Sequence, residues 1–268
     1  MAKNADNSQI IMRSIENRVQ RLVSKPMPSE PLELLARTHA LILYQIMRLF
    51  DQDMRIQSAA QGTQTHLEAA AMRLVEHTVF ERGAFDDMFV PAPDAVAPNE
   101  TGVPSLPLYP LDETRAFWRD WIFQESARRT FLICVFFLQA SRLLAGSRSL
   151  TCDSKMILCH SFTLSAYLWD ADDPLSFAIA WKEKKHLVVK NSKYVCPCRF
   201  SLPLYLGVLV WRAMIANSSP FSFCLHSVAD ALVEAKCDDI DVFGKIVLTT
   251  ILGIDTTKGW LLTKGGAL

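Results

Sequence analysis

A chain of 268 residues, half of them hydrophobic and 21% charged, can bury a substantial core but carries too many charges for an integral membrane protein. Lys plus Arg and Asp plus Glu are equal at 28 each, so the formal charge is zero and no global field pulls the chain toward phosphate polymers. Its seven cysteines, odd in number and irregularly spaced, exclude a secreted disulfide scaffold, and MAKNADNSQIIMRS holds no apolar stretch of signal-peptide length.

In chain order, Ile10, Ile11, Ile15, Val19 and Leu22 recur at three- and four-residue steps, which predicts a helix over 8–23 that Pro26, Pro28 and Pro31 stop. PLELLARTHALILYQIMRLF, 31–50, opens on a proline suited to a first helical turn, and its many apolar positions predict burial on more than one side. A third helix is predicted over 65–80 from Leu67, Ala71, Leu74, Val75 and Phe80. Prolines without periodicity make 83–110 a long Pro-rich loop. Asp112 and Glu113 then open a helix running to about Ala145, and its FLICVFFL run, 131–138, is expected to be the central buried helix. The fold class is all-α, a multi-helix bundle. Residues 1–30 form an N-terminal helix and Pro-rich connection, and 31–268 form one domain.

Three places invite chemistry. Cys196 and Cys198 form C-x-C and Cys159 adjoins His160, but no C-x2-C pair occurs, and adjacent residues diverge by roughly 100° on a helix. They read as ordinary thiols, with no metal, cofactor or catalytic residue assigned. WDADDP, 169–174, matches a short acid pattern of some terpene cyclases, whose chemistry needs a carboxylic acid kept protonated in an apolar pocket. Its plainer reading is a turn in which Asp172 or Asp173 caps a helix beginning near Pro174. In FWRDWIFQESARRTFLICVFF, Glu125 lies three and four residues before Arg128 and Arg129, so a structural ion pair is expected beside Trp118 and Trp121. KEKKH, 182–186, reads as a solvated helix face.

The segments ELLARTHALILYQIMRLFDQDMR, FWRDWIFQESARRTFLICVFFLQ, LSAYLWDADDPLSFAIAWKEKKHLVVKN and DDIDVFGKIVLTTILGIDTTKGW follow one another in an order that resembles the regulatory region of fungal binuclear zinc cluster (Zn2Cys6) transcription factors, especially those encoded beside secondary-metabolite genes. The resemblance covers about 30–195 and 221–267. It implies an all-α regulatory domain, a nuclear location and control of transcription. That family carries a six-cysteine DNA-reading module before this region, whereas the first cysteine here is Cys134, so no DNA-binding residue is carried over. The expectation is a regulator of a secondary-metabolite gene cluster that acts through protein contacts, without its own DNA-binding domain. Its partner would be an intact zinc cluster factor, with no direct nucleic acid binding and no membrane. A hydrophobic small-molecule sensor and a cyclase-like enzyme are the alternatives. Residues 195–220 have no counterpart in the resemblance, and Cys196 to Cys224 holds only Arg199 and Arg212 as charges. This stretch reads as a non-family insertion, the translation of an unspliced intron or a gene-model error.

Overall fold

The computed structural model of the chain describes residues 7–51, 53–79, 105–146, 161–189, 232–233 and 235–266. They are helical almost throughout, and an all-α, multi-helix architecture is what the periodicities demand. The chain divides into two compact units, one made of residues up to Val79 with Ser126–Ser147, the other of Phe80–Glu125 with the remainder.

In the first unit, α1 (Ser8–Val23), α2 (Pro31–Leu49), α3 (Met54–Gly62) and α4 (Gln64–Val75) join the second half of α5 (Asp112–Leu144). Pro31 starts α2 at its first turn, where the missing N–H costs nothing. Asp53 starts α3 by accepting the Arg55 amide, a short polar helix that the hydrophobic spacing does not reveal. In its core Leu34, Leu41, Leu67 and Leu74, with the aromatic ring of Phe131, are all but inaccessible.

Two buried arginines tie the helices together. Arg48 is fully buried and reaches Glu16 of α1 at 3.0 Å and the Thr63 hydroxyl at 2.9 Å, and Gln45 donates to the same hydroxyl at 2.8 Å. Arg37 donates to the carbonyls of Pro26 at 2.7 Å and Lys25 at 3.1 Å. These are acceptors that the end of α1 and the proline-rich turn leave without helical partners. Burial draws both guanidinium pKa values down, and Glu16 partly offsets this at Arg48.

The apolar run of α5 is not wholly enclosed as its composition suggests. Phe131, Leu132, Cys134, Val135 and Leu138 are buried, but Ile133 is 37% exposed and Phe137 half-buried. A helix apolar all round needs neighbours all round, and one side of this one faces solvent. Burial also raises the Cys134 thiol pKa to about 12, which keeps it an inert space-filler.

In the second unit, a two-residue antiparallel pair joins β1 (Phe162–Thr163) to β2 (Val188–Val189), with Phe162 opposite Val189. Around it lie α6 (Ala166–Trp169), α7 (Pro174–Glu183), α8 (Val242–Leu252) and α9 (Ile254–Thr263), with Gly253 at φ +84° turning α8 into α9. Trp121 of α5 packs on Phe177 of α7 at a ring separation of 5.0 Å, and Phe117 packs on Trp181 at 5.2 Å. The Pro-rich stretch 83–110 is described only from residue 105.

Gly244 in α8 approaches its neighbours closely: a Cβ there would lie 2.7 Å from Ile240 Cγ2 and 3.0 Å from both Leu164 Cδ2 and Asp241 Oδ1. Gly244→Ala is therefore expected to destabilise the fold by about 1–3 kcal/mol through overpacking. Gly259→Ala in α9, where a Cβ meets nothing within 4 Å, should stabilise by about 0.5–1 kcal/mol from helix propensity. Urea unfolding of the two variants against the parent measures both signs.

Candidate functional site

Glu125 is almost fully buried in the second unit, and its carboxylate accepts the Thr163 backbone amide at 2.9 Å. It thereby holds the start of β1 against α5. From there the polar groups connect in sequence. Thr163 donates its hydroxyl to the Leu187 carbonyl at 3.3 Å and accepts the Ser165 amide at 3.0 Å. Ser165 accepts the Leu187 amide through its hydroxyl at 2.9 Å and bridges to Ile240. Asp241 donates its amide to the Leu164 carbonyl at 3.2 Å, and its side chain caps α8 by accepting the Gly244 amide at 2.7 Å. Each buried polar group of this hub has a partner, as burial requires. The hub fastens strands and helices and presents no nucleophile–base pair.

Arg128 and Arg129 belong to the first unit. Arg128 donates to the Val79 carbonyl at 2.8 Å, and Arg129 is 6% exposed. The contact of Glu125 with Thr163, 38 residues along the chain, was not legible in the sequence. The ion pair of Glu125 with Arg128 or Arg129 is kept as a proposal.

WDADDP performs the helix start that the sequence suggested. Asp173 accepts the amides of Leu175 at 2.9 Å and Ser176 at 3.0 Å and the Ser176 hydroxyl at 2.6 Å. Asp170, Asp172 and Asp173 are all exposed. The Ser176 hydroxyl, with the two amides, holds the Asp173 pKa below its usual range. That is the opposite of the raised value that carbon protonation needs. The sequence feature behind the cyclase alternative is thus a solvated cap.

Cys159, His160, Cys196, Cys198 and the stretch 195–220 lie outside the described residues. Among the described residues, no cluster of three His, Cys, Asp or Glu side chains is placed to hold a metal ion, and no helix is long and apolar enough to cross a membrane. An open groove of about 440 Å³ runs along α1, lined among others by Arg13, Asn17, Arg18 and Arg21. It is polar and lacks the enclosed apolar character of a metabolite pocket. In the second unit the rings of Phe117, Trp121, Phe177 and Trp181 pack on one another at 5.0–6.3 Å.

The surface feature that stands out is on α2. Leu32 is 70% exposed, Leu43 59% and Phe50 68%, with Ile46 and Met47 also open. The sequence predicts burial of α2 on more than one side, and these apolar residues lie where the structure leaves it open. On a folded chain, open apolar side chains grouped along one helix are a feature that contact surfaces share.

The chain is 24% identical over 262 residues to the protein named Transcription factor gsfR2 of Penicillium aethiopicum, an alignment covering 97% of this chain and 50% of that protein. The chain thus spans about half the length of the relative it matches. No protein-family model matches the chain, and no solved structure matches it.

Two substitutions separate structural roles here. Glu125→Ala strands the buried Thr163 amide and should cost about 1–3 kcal/mol, whereas Glu125→Gln keeps an acceptor for it. A Gln variant as unstable as the Ala variant assigns the larger part to the charge and supports the arginine pair; a near-parental Gln variant overturns the pair. At the cap, Asp173→Ala should lower the melting temperature and Asp173→Asn should hold it, since the amide still accepts. The depressed Asp173 pKa makes the cap's contribution complete above the unfolded carboxylate pKa. It is lost as pH falls through the lower folded value, so the Ala-to-parent difference in melting temperature should vanish at strongly acid pH.

Proposed function

We propose that this chain is the regulatory region of a transcriptional regulator of the fungal zinc cluster type, working in the nucleus through protein contacts. The observation that carries this reading is the alignment of 97% of the chain with a protein named a transcription factor. It agrees with the all-α architecture that the zinc cluster resemblance implies. The open apolar face of α2 supports a mechanism that works through protein contacts, because covering such a face with another protein surface is favourable. A formal charge of zero supplies no sequence-independent pull to DNA. Contact with DNA then falls to a partner protein, an intact zinc cluster factor being the natural one, and the regulated genes to a secondary-metabolite cluster.

Deleting the gene and measuring transcripts of its chromosomal neighbours tests the reading. A coordinated rise or fall in those transcripts, reversed by the parental gene, is expected; unchanged transcripts under conditions where the gene is expressed overturn it. Complementation with a gene carrying Leu43→Glu and Phe50→Glu should fail to restore the pattern while the protein accumulates normally. Full restoration removes the α2 face from the mechanism.

A further inference from the structure

The open residues of α2, namely Leu32, Ala36, His39, Leu43, Ile46 and Phe50, follow one another at alternating steps of four and three. That is the spacing of a helix seam built to meet another helix. Along α2, Glu33 is the one exposed charged residue, since Arg37 and Arg48 are buried. The second half of α5 carries a matching row, Ile133, Phe137, Ala140 and Leu144, again at steps of four and three, with Leu144 72% exposed. The two rows adjoin within the first unit, because His39 Nε2 meets Thr130 Oγ1 at 2.6 Å one turn before Ile133.

The helices also run the same way. Gln45 and Arg48, late in α2, reach Thr63 at the start of α4, so α4 returns antiparallel to α2. Arg142, late in α5, reaches Glu68 early in α4 at 2.9 Å, and Arg128 reaches Val79 beyond its end. Helix α5 is therefore antiparallel to α4 and parallel to α2. The result is one two-helix apolar face with a seam on each helix.

We propose that this face is the interface between two copies of the chain, related by a two-fold axis that sets α2 and α5 of one against those of the other. An isologous interface brings each patch against itself, so any charge on it would meet its like. This face carries almost none, which suits self-association and offers nothing to a charged partner. At about 150–200 Å² per fully exposed large side chain, the open apolar residues of the two rows amount to roughly 500–700 Å² per copy, the larger part of the ~800 Å² per partner of a specific interface. Two parallel helices against two make a four-helix arrangement that covers both seams, whereas one partner helix lies in a single groove. The inference rests on the protein-contact half of the proposed function and leaves other surfaces of the chain for a DNA-bound partner.

Sedimentation velocity of the purified full chain across micromolar concentrations tests it. The parent should sediment as twice the 30.2 kDa chain mass. Leu43→Glu with Phe50→Glu should raise the dissociation constant by at least about tenfold, and Leu32→Gln with Leu43→Gln, milder and equally exposed, should raise it in the same direction. Far-UV dichroism of both variants should match the parent. Val242→Glu, on the equally open α8 of the second unit, should leave the mass unchanged. A monomeric parent overturns the proposal, as does a double variant that dimerises like the parent. A monomeric parent whose Leu43→Glu, Phe50→Glu form still fails to restore transcripts leaves the regulatory reading standing and assigns the face to a different protein. A dimer with unchanged transcripts on deletion does the reverse.

Discussion

The FLICVFFL run of α5, 131–138, has no polar side to offer to water, and the first unit is arranged around that constraint. A helix of this kind is stable only against neighbours, because its own propensity contributes far less than burial of its apolar surface. Phe131, Leu138 and Cys134 find that cover. Helices α2 and α4 are held in register around them by polar pins. Arg48 fixes α1 and the start of α4 to α2, Arg142 fixes α4 to α5 through Glu68, and His39 fixes α2 to α5 through Thr130. The Arg48 pin is geometrically specific: a buried guanidinium needs an opposite charge and acceptors at fixed positions, here Glu16 and the Thr63 hydroxyl. It thus selects one packing of α1, α2 and α4 from the many that aliphatic residues alone would allow.

The second unit settles a different problem. Its strands are two residues long, too short to hold themselves, so side chains take over the work of a sheet. Glu125, Thr163, Ser165 and Asp241 each accept a backbone amide, and the fully buried Ser165 sits at their centre. A network of this kind is stabilising only when complete, since one missing acceptor leaves a buried N–H unpaired. This explains why a carboxylate stands in α5 at the threshold of its most apolar stretch. Its task there is to receive an amide from a distant part of the chain.

What could be read from the sequence follows the same division. Helices α1, α2, α5 and α7 declare themselves through spacing, prolines and the acids at 112–113 and 173, and their observed limits fall within a residue or so of those expected. The helix predicted over 65–80 ends at Val75, five residues short, where the amides of Glu76 and His77 tighten to bonds three residues back, on Arg73 and Leu74. Helix α3 escapes because nine residues with a weak apolar stripe give no period to detect. The apolar VFGKIVLTTIL of α8 has the length of a helix but no face that distinguishes it from a buried strand. Neither the Glu125–Thr163 bond nor the hub around Ser165 leaves a local trace, since their partners are many residues apart.

The exposed seam shows where periodicity stops being informative. Leu32, Leu43, Ile46 and Phe50 have the composition of a core, and the sequence duly assigns α2 burial on several sides. Only the placement of the neighbouring helices shows which sides of α2 the described residues cover and which they leave open. An apolar row of this length in water forgoes about 25 cal/mol for every Å² left uncovered. Mutation would disperse such a row readily, because polar residues at exposed helix positions cost the fold little or nothing. The row carries no charge from Ala36 to Phe50, on the side of α2 that the described helices leave open, as the proposed interface requires. The apolar run of α5 extends past what its own unit covers, and the open Ile133 lies one turn from the Thr130 contact with α2.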